Sequence, residues 1–481
     1  MAQLPPRAGA APQTPNTTLP EWNTVMRKDS LLETPEPVGR PRMSRRRRKR
    51  LAIVISVTLV AVLGLGAAAV AFAFRGVSDN IVRSEFELPQ VAEIVEADPG
   101  EQNILIMGMD SRVDQNGNPL PDGVYEALHA GGADDGGYNA NVLMFLHIPE
   151  DRSKTVGISI PRDNYVEIPG APLGVSYTKI KEAYGLAMQE KMNELVWQED
   201  SELTDEEVYQ QSRAAGRQAQ IETVSHFLGD VRVDHFVEMT MGGFYHVAEA
   251  VAPVSVCLNQ ATEDFYSGAK FEAGLQEIDA QEAMSFVRQR RDTGFDGPFL
   301  TDLDRSRRQQ AFLVSLAEKL RETSTLMNPK TVWSLVDVTQ KHVALDSEFD
   351  VLGFMRIAQD VAQHGAHFIT LPIMEFATVD GAEVNIVDVD EVQAIVASVL
   401  DGSYFDAPPA DPDGAGPDAT DPDAADPEAG DGEVGDAAGV GAADGAPAAG
   451  DGAAGDDPIP GTENYDSWEE PIRAGSIPCV N

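Results

Sequence analysis

Between residues 101 and 401 the apolar positions alternate between two periods. NILIMGM (103–109), NVLMFLHI (141–148), KTVGISI (154–160), HFVEMTM (235–241) and HFITLPI (367–373) are short runs rich in apolar and β-branched residues, and they predict strands. Thr204-Asp205-Glu206-Glu207 has the form of a capping box and predicts a long polar helix reaching about Leu228. Residues 279–290, 302–321, 349–363 and 390–400 predict further helices. Strands mixed with helices predict an α/β (α+β) domain in which helices cover a mixed central sheet. No internal repeat interrupts this pattern.

Outside that span the pattern changes. Residues 51–74, LAIVISVTLVAVLGLGAAAVAFAF, contain no charged residue. Their 24 positions, at ~1.5 Å each, exceed a hydrocarbon core of ~30 Å and predict one transmembrane helix over 51–75. Ala71-Phe72-Ala73 has the form of a signal-peptide cleavage site. The 50-residue leader and the length of the run favour a retained anchor instead. Residues 1–50 are Pro-, Thr- and Arg-rich and predict a disordered tail, and 76–100 read as a stalk. Residues 402–470 are dominated by Asp, Ala, Gly and Pro, which predicts a second disordered tail. The last stretch, 471–481, ends in GSIPCVN and has the composition to dock back on the domain.

Charge follows the same divisions. The chain carries a formal −42, yet its first 50 residues hold 11 Lys/Arg against 4 Asp/Glu, leaving −49 on the rest. A basic cluster directly before an apolar span keeps that end cytoplasmic and places the acidic body outside, in a single-pass membrane protein. This topology accounts for Arg45–Arg50 without nucleic acid, and none is expected as a partner. Cys257 and Cys479 both fall on the outer side, where they either bridge or, for Cys257 after the run VSV, leave a buried core thiol.

Against this acidity six arginines gather within 286–312: Arg288, Arg290, Arg291, Arg305, Arg307 and Arg308. Arg305, Arg308 and Gln309 share a helix face at i, i+3 and i+4, and that face continues into apolar Phe312, Leu316 and Leu320. Guanidinium groups on an inward stripe require neutralising, by Asp302 and Asp304 or by an anionic ligand, and arginine suits bidentate grip on phosphate. Arg288 and Arg290 end the preceding helix, where the dipole alone favours cations. Arg307 faces elsewhere, and Arg291 and Arg307 are read as lying outside the site. Strand 103–109 runs into Asp110-Ser111-Arg112 and strand 154–160 into Pro161-Arg162-Asp163; TKIKEAYG adds Lys179 and Lys181 beside Tyr184. A strand-end carboxylate for a hard divalent cation, with several cations for phosphate, is what diphosphate chemistry needs.

The ordered set NILIMGMDSR, ISIPRDNYVEIPG, KIKEAYG, VDHFVEMTMGGF and FVRQRR…DLDRSRRQQAF, behind an apolar span, resembles the LytR-CpsA-Psr family of actinobacterial type. The resemblance covers roughly residues 101–325, and 326–400 read as the rest of the same domain. It implies a membrane-anchored phosphotransferase, EC 2.7.8-like, that moves a glycopolymer from a polyprenyl-diphosphate carrier to peptidoglycan with Mg²⁺ or Mn²⁺. Pyrophosphatase side activity belongs to the same implied chemistry. By position, Asp110 matches the metal-binding carboxylate. Arg162, Lys179, Arg288, Arg290, Arg305, Arg308 and Gln309 match the diphosphate cradle. Asp302 matches an active-site acid, either orienting Arg305 or serving as general base. The catalytic set is then Asp110, Arg162, Asp302 and Arg305. The chain departs from the family where Arg-x-Asp usually stands: it reads Asn139-Ala140-Asn141, which leaves Asn141 a carbonyl ligand at most, with Asp134 or Asp135 as substitutes. Two other readings stay open: a lipid-diphosphate pyrophosphatase, and a non-catalytic envelope-binding or regulatory protein.

Overall fold

The computed structural model describes residues 81–86, 100–129, 131–198, 202–294, 297–321, 328–350, 353, 365–406, 461–465, 467 and 470–481. The 51–75 span, the 1–50 tail, most of the stalk and most of the acidic tail lie outside these residues, as does nearly all of the helix predicted at 349–363. Among the described residues no helix is long and apolar enough to cross a membrane.

A mixed eight-stranded sheet runs in the spatial order Val82–Ser84, Val343–Asp346, His235–Thr240, Gln102–Met109, Ala140–Ile148, Thr155–Ser159, Ala366–Thr370 and Ile472–Arg473. The five strands legible in the sequence form its centre. Its two edges are short pieces from the predicted stalk and from the C-terminal segment. The Gln102–Met109 strand pairs parallel with His235–Thr240 and antiparallel with Ala140–Ile148.

Alternation within these strands sends Leu105, Met107, Leu143, Phe145 and Phe236 to one face, fully or nearly fully buried. There they meet Tyr184, Ile221, Val224 and Val396 from the helices Ala183–Val196, Asp205–Phe227 and Val389–Leu400. Thr204 caps the long helix by accepting from Glu207 N while the Glu207 carboxylate returns to Thr204 N, the reciprocal box that the sequence predicts. Gly216 lets the two long helices touch: a Cβ there would sit 2.6 Å from the Tyr184 ring.

On the opposite face lie the helices Met241–Val251, Ala280–Arg288 and Asp302–Arg321 and a four-stranded sheet. That smaller sheet orders Gly274–Ile278, Val254–Leu258, Ile477–Val480 and Thr462–Asn464, so the C-terminus supplies half of it. Cys257 and Cys479 face each other across the Val254–Leu258 and Ile477–Val480 pair and are joined in a disulfide. Gln310, wholly buried, ties the Asp302–Arg321 helix to the main sheet through Ser159 Oγ, Ile369 O and Thr370 Oγ1.

Candidate functional site

The opposite face of the central strands is incompletely covered. Ile106, Gly108, Val142, Met144, Val237 and Met239 lie along three neighbouring strands and form the floor of a cavity of about 460 Å³. Phe244, Met284, Val287 and Leu313 from the covering helices complete its apolar part. Gly108 is needed here: a Cβ would come 2.8 Å from the Cβ of Val142. The register shifts between Gly108 and Met109, a bulge that re-aims the chain as it leaves the strand. The next residue is Asp110, whose backbone N–H donates to Asn139 O at 2.9 Å.

The other end of the cavity is charged. Arg112, Arg162, Arg288, Arg290, Arg291 and Arg305 line it, against the carboxylates Asp110 and Asp264, and Asn141 and Gln309 complete the wall. Six guanidinium groups line it with two carboxylates, and even with Asp163 and Asp302 beside Arg162 and Arg305 positive charge is in excess, a composition suited to an anion.

Asp302 organises two of these cations. Its Oδ2 takes Arg305 at 2.8 Å and its Oδ1 stands 3.3 Å from Arg162. Burial pulls the Arg305 guanidinium down to about 10, with Asp302 opposing and Arg162 assisting, so it remains cationic at neutral pH. Asp163, beside Arg162 at 3.4 Å, is also paired with Lys179 at 3.4 Å and Lys181 at 2.7 Å. Burial pushes its carboxyl up, but Arg162, Lys181 and Lys179 outweigh that and hold it at about 2. Arg288 donates to Leu128 O. Burial lowers its guanidinium while the Asp110 charge raises it, so the two sense each other across the cavity. Several polar atoms in this region, Arg112 Nε and Nη1, Asn141 Oδ1 and Arg305 Nε among them, are buried without a hydrogen-bond partner.

Asp110, Asn141, Arg162, Arg288, Arg290, Arg305 and Gln309 are brought to one cavity. Arg308 is not: it is fully buried, donating to Asn481 O, Gln289 Oε1 and Thr262 Oγ1, and belongs to the packing of the C-terminus. Lys179 stands one ion pair behind Arg162, on Asp163. Asp302 is absent from the lining and pairs with both Arg162 and Arg305. Arg291, read as outside, lines the cavity with its guanidinium 4.6 Å from the Tyr266 ring centroid. Arg307 lies outside, yet it is buried, donating to Glu470 O and Ser467 O. Asp135 turns its carboxylate to Gly132 N at 2.7 Å and does not join the lining. Sequence reasoning missed Asp264, Tyr266 and Ser267, which enter on the turn between Thr262–Asp264 and Ala269–Phe271. The Ser-Gly after two aromatics was the available turn signal.

Among the described residues no three His, Cys, Asp or Glu side chains converge as a metal centre. Asp110 and Asn141 nevertheless line one cavity, and Asn141 Oδ1 accepts no hydrogen bond. One carboxylate and one amide oxygen, completed by phosphate oxygens and water, suit Mg²⁺, which is commonly bound through one or two carboxylates plus substrate phosphate.

The LytR_cpsA_psr family pattern matches residues 78–399. The cell wall biosynthesis protein LcpA of Corynebacterium glutamicum is 33% identical over 303 residues, covering 63% of this chain and 56% of that protein. The Bacillus subtilis polyisoprenyl-teichoic acid–peptidoglycan teichoic acid transferase TagT is 25% identical over 244 residues, 49% of this chain and 58% of that protein. The similarity therefore spans little more than half the length of either relative. The crystal structure of B. subtilis TagV is 17% identical, covers 65% of this chain and 100% of that one, and superposes with a TM-score of 0.43. With well over half of its length matched by the family pattern, the chain belongs to the LytR_cpsA_psr family.

Proposed function

We propose that this protein is a membrane-anchored phosphotransferase that moves a glycopolymer from a polyprenyl-diphosphate carrier to peptidoglycan outside the cell membrane. The observation that carries the reading is the composition of one cavity. Its apolar part has the lining a hydrocarbon chain requires, and its arginine-lined part belongs to the same cavity. A polyprenyl diphosphate has the same two-part character. The names of the Corynebacterium and Bacillus relatives, a cell wall biosynthesis protein and a teichoic acid transferase, agree with it. The apolar run 51–74 would anchor the chain, with the acidic body outside.

In this mechanism an acceptor sugar hydroxyl attacks the glycan-side phosphorus. A new phosphodiester P–O bond forms as the anhydride bond to the carrier-side phosphate breaks, and polyprenyl phosphate leaves with the electron pair of that bond and the hydroxyl's proton. Charge spreads over the non-bridging oxygens and onto the leaving phosphate. Arg162 and Arg305 meet it already oriented, because Asp302 fixes both guanidinium groups before substrate arrives. Arg288, Arg290 and Gln309 close the wall around the same space. Asp110 and Asn141 would hold Mg²⁺ or Mn²⁺. When bound, the ion supplies further neutralisation of the diphosphate.

The test incubates the full chain in detergent with a polyprenyl-diphosphate-linked oligosaccharide, peptidoglycan and Mg²⁺. Wall-linked phosphodiester is the expected product. Release of phosphate-terminated sugar with none attached to the wall makes the protein a pyrophosphatase. Equal rates for the natural chain and Arg305→Ala remove catalysis from this cavity altogether.

A further inference from the structure

The turn joining Thr262–Asp264 to Ala269–Phe271 holds two aromatic side chains out into solvent: Phe265 is 80% exposed and Tyr266 63%. The two rings pack edge to face with centroids 5.4 Å apart, Tyr266 lining the cavity and Phe265 beside it, which leaves an apolar surface open to an occupant next to the cavity. The turn is also well fixed. Asp264 accepts from Tyr266 N at 3.0 Å and from Ser267 Oγ at 2.6 Å. Phe265 N donates to Thr293 Oγ1 at 3.1 Å, and Thr293 N donates to Glu263 O at 2.7 Å. Glu263 N is bound by the Asp292 carboxylate at 2.7 Å. Arg291, 4.6 Å from the Tyr266 centroid, couples the ring to the guanidinium wall.

From these observations we infer that Phe265 and Tyr266 form a platform for a pyranose ring of the acceptor glycan; the assignment rests on the transferase reading of the cavity. The geometry supplies the direction of approach. The apolar floor takes the hydrocarbon and the guanidinium wall takes the diphosphate, so the nucleophilic hydroxyl must arrive from the charged mouth. Tyr266, Ser267 and Asp264 line the cavity together with that wall, and Tyr266 is the exposed one of the three. A pyranose has an apolar C–H face suited to an aromatic ring and a rim of hydroxyls. Arg291 offers complementary donors beside the rings.

The test uses the full chain in detergent and an uncharged β-1,4-linked N-acetylglucosamine oligosaccharide as probe, with binding read by calorimetry. Phe265→Ala/Tyr266→Ala should weaken binding at least tenfold, while Tyr266→Phe, which keeps the ring, stays within threefold of the natural chain. In the transfer assay the double variant should raise KM for peptidoglycan at least tenfold, with kcat at saturating acceptor within threefold. Absence of probe binding by the natural chain, or equal binding by the double variant, overturns the platform. So does a variant that loses only its retention on vesicles containing anionic lipid, because that outcome makes the tip a membrane contact. Probe binding that depends on the tip, in a chain that transfers no phosphate, leaves the platform standing and removes the transferase reading alone.

Discussion

Two arginines three residues apart show how little residue type decides. Arg305 and Arg308 sit on one helix, both nearly inaccessible, and burial pulls both guanidinium groups down to about 10. Arg305 faces the cavity with its Nε unpartnered, whereas Arg308 spends its donors on Asn481 O, Gln289 and Thr262. Arg305→Ala should therefore lower kcat/KM by roughly 10²–10³, the usual cost of removing one preorganised charge from a transition state, with little change in melting temperature. Arg308→Ala should do the reverse. It removes the donor to Asn481 O and one of two donors to Gln289 Oε1, and should cost roughly 2–4 kcal/mol of stability. Steady-state kinetics and thermal melts on the two variants check this, and equal kinetic losses would place Arg308 in the site after all. Helical spacing put both residues on one side of the helix. It could not separate them, because the partner that claims Arg308 lies 173 residues away in sequence.

At the level of elements, the strands were legible because both of their faces are apolar, and that same property hid the cavity. Ile106, Val142, Val237 and Met239 have the composition of core. Only the position of the covering helices leaves them as a floor. The capped helix start at Thr204 was readable from four residues. The charge network on that helix was not, since its members come from four separate stretches. Glu238, fully buried in the His235–Thr240 strand, receives Arg213 and Arg217 from the Asp205–Phe227 helix, Tyr184 from Ala183–Val196 and Gln115 from the loop after Asp110. Gln115 Oε1 also accepts from Arg213 at 3.0 Å and Arg217 at 3.2 Å, so the network anchors the Asp110 loop to the helical layer. Burial pushes the Glu238 carboxyl up, but Arg213 and Arg217 prevail and hold it at about 2. A depressed folded value contributes stability above the ordinary carboxylate range and loses it as pH falls from about 4.5 towards 2. Glu238→Gln should cost about 3–5 kcal/mol at neutral pH by leaving two buried guanidinium groups poorly neutralised. It should also flatten the stability profile across that acid window. Urea melts between pH 2 and 7 measure both effects, and a variant with the natural chain's acid slope would show that other carboxylates set it.

At the scale of the described domain, the 461–481 segment closes the smaller sheet, and two chemically unlike groups depend on that closure. One is the Cys257–Cys479 bridge, which spans 222 residues and joins strands that also pair in register. The other is the pair of buried guanidinium groups, Arg307 and Arg308, whose acceptors include the backbone carbonyls of Glu470, Ser467 and Asn481. Both arginines project from the helix that carries Arg305 and Gln309 to the cavity, so the C-terminal clasp and the guanidinium wall share one rigid element. A loop of this length gives a bridge a chain-entropy contribution of up to ~5 kcal/mol, and reduction also weakens the segment that satisfies the two arginines. Reducing the bridge should lower the melting temperature by several degrees and expose the 461–481 segment to protease. Cys257→Ser/Cys479→Ser should melt at that lower temperature with or without reductant. Binding of an inorganic diphosphate probe should weaken in step with the loss of the segment, since the helix bearing Arg305 loses its outer support. A melting temperature indifferent to reductant, with the segment still protected, would mean that strand pairing alone holds the C-terminus and that the bridge contributes nothing to the site.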